Sequence, residues 1–86
     1  MTTDQIEQFL EKKQLEKQLV RISFKNRAAL TGIFIRSYDY NELKSKNLWR
    51  VVWESNVASY KKTEDINLAR IFNGIEITKL AAATAV

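Results

Sequence analysis

Cysteine and histidine are both absent from this 86-residue chain, and with them goes much of the chemistry a small protein can perform. No disulfide can staple the fold, no thiolate can act as a nucleophile, and no imidazole can serve as a general base. Zinc sites lose their commonest ligands. An enzyme would have to work with carboxylates, lysine, serine or tyrosine alone. The ten acidic residues fall into no acid/base pair or metal-loop spacing. The sequence therefore predicts neither catalysis nor a metal or other cofactor.

Proline is also absent and glycine occurs only twice, so the chain has no linker, no internal repeat and no domain boundary. Residues 1–86 read as one domain. The longest apolar run is a few residues, far short of the roughly 20 that a membrane-spanning helix requires. Met1 to Leu10 carries Asp4 and Glu7 but no base, the wrong charge pattern for a secretory signal. A cytoplasmic location is expected, in a bacterial-type cell or one infected by a virus. At this size folding hides only about 60 to 65% of the unfolded surface. Without disulfides or the usual metal ligands, such a thin core points to association as the compensating stabiliser. The net charge of +4 suits a polyanionic partner and is also common in ordinary domains.

What is present has two periods. Asp4-Gln5-Ile6-Glu7 has the form of a capping box, and Ile6, Phe9 and Leu10 follow at helical spacing, with Leu15 able to extend the stripe. A helix is predicted over about 4–15, its apolar face laid across one end of the fold. From Leu19 the period becomes two. Val20, Ile22 and Phe24 share one face of a strand, and Asn26-Arg27 marks a turn. Ala29 to Tyr38 forms a second strand in which Gly32 signals a bend or the close passage of another backbone. The polar segment Asp39 to Asn47 reads as a loop, and Leu48 to Trp53 as a third strand whose Trp49 and Trp53 share one face and are assigned to the core or an interface in preference to a base platform. Glu54 to Asp65 is ambiguous, with a helical turn preferred over an extended hairpin. Ile66 to Phe72 and Ile75 to Leu80 are the last two strands, joined as a hairpin at the Asn73-Gly74 turn. Ala81 to Val86 reads as a flexible tail. The predicted fold is mainly β, a helix followed by a strongly bent five-stranded antiparallel barrel of SH3-like or OB-like size over about 19–80.

This order resembles the Sm-like family, which includes the Sm and LSm proteins, their archaeal relatives and the bacterial Hfq proteins. The likeness covers about residues 4–80. Val20, Ile22, Phe24, Gly32 and Asp39, with Asn41 or Asn47 as the amide, match the family's first motif. Phe72-Asn73-Gly74 followed by Ile77 and Leu80 match its second. The chain departs from the pattern at Arg27, which stands where a turn glycine is usual, and at Asn73, which stands where arginine is common. Asp39 lies one residue further from Gly32 than in typical members, and the loop to Asn47 is enlarged.

The resemblance implies a homo-oligomeric ring of five to seven subunits, in which the fourth strand of one subunit pairs with the fifth of the next. Leu68, Ile71, Ile75 and Ile77 are then the interface candidates. It also implies single-stranded RNA, U-rich or A-rich, as ligand. Tyr40 would stack on a base, Asn41 would read its edge and Asp39 would position the loop. Lys44, Lys46, Asn47, Asn73 and Gly74 would complete the pocket, with Arg50, Arg70, Lys61 and Lys62 as further cations. The rival reading is a homo-oligomeric protein-interaction or scaffold module that binds no RNA.

Overall fold

The computed structural model describes residues 1–12 and 18–83. Helix α1 spans Thr3–Lys12. Its capping box lies two residues earlier than the sequence suggested. The Thr2 N–H donates to Gln5 Oε1 at 2.9 Å, and the Gln5 N–H donates to Thr2 Oγ1 at 3.2 Å. Glu7 is thereby left to ion-pair with Lys44. Leu15 and the expected end of the helix fall outside the described residues.

Five antiparallel strands follow: β1 Val20–Phe24, β2 Leu30–Phe34, β3 Leu48–Trp53, β4 Ala69–Asn73 and β5 Ile77–Ala82. They are arranged in the order β4-β3-β2-β1-β5. The last two strands are not a hairpin. A single 3₁₀ turn, Gly74–Glu76, carries the chain from one edge of the sheet to the other, where β5 pairs with β1 from Phe24↔Ile77 to Val20↔Ala82. Ala81 and Ala82 therefore belong to a strand and not to a tail. The rest of the expected tail, 84–86, lies outside the described residues.

The sheet is curled but does not close into a barrel, because β4 and β5 exchange no ladder. Closure is by side chains. Phe24 of β1 and Phe72 of β4 belong to strands three places apart in the sheet, yet their ring centroids lie 5.6 Å from each other. Aromatic contact across the mouth of the curl substitutes for the hydrogen bonds that a barrel would make.

Alternation along the strands sends side chains to two separate cores. Val20, Ile22, Phe24, Phe34, Trp49, Val51, Phe72, Ile77 and Leu80 line the concave face, where Ile6 and Leu10 of α1 cover them. Burying two such side chains contributes about 1.5–3 kcal/mol each. The convex face holds Ile33, Ile35 and Val52 beneath Val57 and Tyr60. These two come from α3, Glu54–Thr63, a full helix where the sequence suggested one turn. Gly32 stands where β2 passes β3 closely. A Cβ there would lie 2.5 Å from the Val52 carbonyl oxygen and 2.9 Å from Val51 Cγ1.

Two further expectations change. The 39–47 loop contains a helix, α2, Tyr40–Ser45. Its Tyr, Glu, Leu and Lys residues are adequate helix formers with no glycine or proline to break them, and polarity alone hid this. The fourth strand begins at Ala69, because the Asp65 carboxylate accepts the Asn67 N–H at 2.9 Å and winds 66–68 into a 3₁₀ turn.

Candidate functional site

Two regions concentrate the groups nominated from the sequence: the connection from β2 to β3, and the free edge of β4. In the first, Asp39 precedes α2 and holds Arg50 of β3 through a two-point contact. Arg50 Nη2 lies 2.7 Å from Asp39 Oδ2, and Nε lies 3.2 Å from Oδ1. The Ser37 hydroxyl also donates to Asp39 Oδ1. These two donors hold the Asp39 carboxyl down at about pKa 2, although partial burial opposes them. Asp39 thus fixes where α2 starts relative to β3.

Tyr40 is half-buried and meets Trp49 edge-on, with centroids 6.1 Å apart. The Arg36 guanidinium carbon lies 5.1 Å from its ring centroid and Lys44 Nζ lies 5.4 Å from it. Burial raises the Tyr40 hydroxyl above the ordinary phenol range. Lys44 is ion-paired with Glu7, and its carbonyl accepts the Thr3 hydroxyl at 3.0 Å, so α2 is fastened to α1. Asn41 is exposed. Lys46 is exposed too, with Glu42 as a loose partner at 3.7 Å.

Asn47 has left-handed backbone geometry, with φ of 58°. Its side chain accepts from Trp49 Nε1 at 2.9 Å and donates to the Met1 carbonyl at 3.0 Å. Its own carbonyl accepts the Gly74 N–H at 2.8 Å. Asn73 accepts the Ile75 N–H at 3.0 Å and so caps the turn into β5. The structure therefore brings Asn47 and Gly74 together, with Asn73 adjoining in the chain. Tyr40 and Lys44 face α1, while Asn41 and Lys46 face outward. Among the described residues the most exposed large hydrophobic side chain is Tyr38, at 91% exposure, which was not nominated from the sequence. A signal existed: Tyr38 and Tyr40 flank Asp39 in a polar turn that can bury only one of them.

The second region is an open groove of about 720 Å³ along the outer edge of β4. It is lined by Ala69, Arg70, Ile71 and Phe72 of β4, together with Arg27, Leu30, Arg50 and Trp53. Arg27 lies over the rings of Phe24 and Phe72, at 5.3 and 5.7 Å. This position, a departure from the Sm-like pattern, was not nominated from the sequence. Among the described residues neither Arg27 nor Arg70 lies within salt-bridge distance of a carboxylate. Of the interface candidates, Ile77 fills the protein's own core and Leu68 is half-buried, whereas Ile71 and Ile75 are 46% and 60% exposed. Lys61 and Lys62 lie on the exposed last turn of α3, away from both regions. Among the described residues no cluster of acids could hold a metal ion, and no helix is long and apolar enough to cross a membrane.

No family model matches this chain, and searches of curated proteins and of solved structures return no similar protein.

Proposed function

We propose that this chain is a non-catalytic interaction module of Sm-like type, whose free sheet edges add strands from other polypeptides, copies of itself included. The observation that carries the reading is the outer edge of β4. Among the described residues the strand has one neighbour only, β3, and its exposed Ile71 stands beside an open groove. Unpaired edges of this kind are templates for strand addition. The strand order, the curl and the single turn joining β4 to β5 support the Sm-like comparison, as does the lack of the side chains from which most catalysts are built.

Panning a library of random peptides on the immobilised protein tests it. Peptides of extended character should be enriched, and their binding should slow amide exchange at Ile71 while leaving α1 unchanged. A chain that enriches no peptide and stays monomeric at high concentration overturns the proposal.

A second reading, single-stranded RNA bound by a homo-oligomeric ring, is favoured by one observation. Asn47 and Gly74 meet at the place where the family resemblance puts a base pocket, with exposed Tyr38 and Asn41 on the same connection. Stacking and amide readout are the chemistry that single strands need. Fluorescence anisotropy with U-rich and A-rich oligoribonucleotides tests it, and no binding at low salt by a verified oligomer removes it.

A further inference from the structure

The β4 edge has a polarity that narrows what can occupy it. The Ile35 N–H donates to the Arg50 carbonyl at 3.1 Å, so the backbone groups of Arg50 face β2. Alternation then turns those of Trp49 and Val51 toward β4, where their partners are Phe72 and Arg70. The next rung agrees, since the Gly74 N–H reaches back to the Asn47 carbonyl. The N–H and C=O groups of Ile71 and Asn73 consequently point away from the sheet, whereas the N–H of Ala69 is already spent on the Ile66 carbonyl, where it closes the 3₁₀ turn. Four consecutive residues, 69–72, line the groove, and consecutive residues of a strand belong to opposite faces. A groove lined from both faces of one strand runs along its edge, the space an added strand would fill.

The side chains waiting on either side of that space differ. On the concave side stand Arg70 and Arg27, with Trp53 and Phe72 beneath them. On the convex side stand Ala69 and Ile71 with Arg50, whose charge is already matched by Asp39. Two guanidiniums without a carboxylate partner among the described residues therefore face one side of the incoming strand, and an apolar surface faces the other. Among the described residues no acid lines the groove; Glu76 lines the adjoining depression beside Arg27.

We infer that the β4 edge binds an extended acidic segment of a different protein, with acids alternating against Arg27 and Arg70 and apolar residues alternating against Ile71. The inference rests on the interaction-module reading and names its partner. A second copy's β5 fits less well, because its exposed residues are Thr78, Lys79 and Ala82, which bring another cation toward Arg70 and no carboxylate. Like charges placed opposite each other on neighbouring strands oppose pairing. Guanidiniums take carboxylates in a two-point geometry that lysine cannot reproduce, which suits the groove to Asp and Glu side chains.

The test uses the full chain and short fluorescein-labelled peptides alternating Glu with Val, or Lys with Val. The acidic peptide should bind, slow amide exchange at Ile71, and lose affinity as salt rises. Methylating its backbone nitrogens along one edge should abolish binding, since that removes ladder donors without touching charge. Arg70→Glu should weaken the acidic peptide about tenfold or more and improve the basic one. Arg70 is exposed, so the variant should fold, and unchanged exchange in α1 would verify it. Equal binding of both peptides overturns the inference while leaving the interaction module intact. A closed oligomer that binds neither peptide does the same, showing that β5 of a copy fills the edge. A monomer that binds neither peptide but binds a labelled oligoribonucleotide removes both.

Discussion

The side chain of Asn47 occupies the space that a Cβ on Gly74 would need. Every atom that such a methyl would meet first belongs to the Asn47 amide group. The same amide holds the Trp49 indole and the Met1 carbonyl, so it cannot swing aside without breaking both contacts. Gly74→Ala should therefore destabilise the fold by about 1–3 kcal/mol, the usual range for overpacking. In the Asn47→Gly background, which keeps the left-handed backbone but empties the space, the same change should cost much less. Urea denaturation of the four proteins gives the coupling, and simple additivity would show that the two residues do not share that space.

Gly32→Ala should be at least as damaging. Its new Cβ would press on the Val52 carbonyl, a backbone atom in mid-sheet, where Gly74→Ala presses on a side chain. A loss of about 2–3 kcal/mol is expected, with amide exchange accelerated first along the β2–β3 ladder. A variant as stable as the parent would mean that the two strands do not pass so closely.

Stability should fall in acid through Asp39. Its folded pKa, about 2, lies below the ordinary value of 3.8. The contribution is thus complete above about pH 4 and is lost as the pH falls toward 2. Asp39→Asn should flatten that limb of the stability profile, and Arg50→Met should do likewise by removing the donor. Urea midpoints between pH 2 and pH 6 would show it. An acid limb of unchanged slope in both variants would contradict the assignment.

Tyr38 and Tyr40 should separate cleanly. Tyr38→Ala should change stability by less than about 0.5 kcal/mol, as surface substitutions usually do, while Tyr40→Ala should cost about 1–3 kcal/mol by opening the packing between α2 and Trp49. If the RNA reading holds, affinity for oligoribonucleotides should drop in Tyr38→Ala with no change in thermal midpoint. Loss of RNA binding in Tyr40→Ala alone, in protein that remains folded, would return the stacking role to Tyr40.

Much of this architecture was readable from local pattern. The alternation of Val20, Ile22 and Phe24 and the run Leu48 to Trp53 became strands with those faces, and Ile6 and Leu10 became the buried stripe of α1. The site was less readable. Asp39, Tyr40, Lys44 and Asn47 are the polar and aromatic types a binding loop would carry, yet the same types serve as caps, ion pairs and core edges. Composition does not distinguish a residue that meets a ligand from one that meets Glu7 or Trp49.

By itself the sequence determined the local terms: that α1 is helical and that the cores of β1, β2 and β3 are extended, which face of α1 and β1 is apolar, and that thiol and imidazole chemistry are excluded. These follow from side-chain period and type, which act over a few residues. Only the tertiary structure decided that β5 joins β1 and not β4, that the sheet stays open, and that Arg27 and Arg70 come to border one groove. Those outcomes depend on contacts between residues far apart in the chain, such as Phe24 with Phe72 and Asn47 with Gly74. No local pattern encodes which distant side chain will fill a given space.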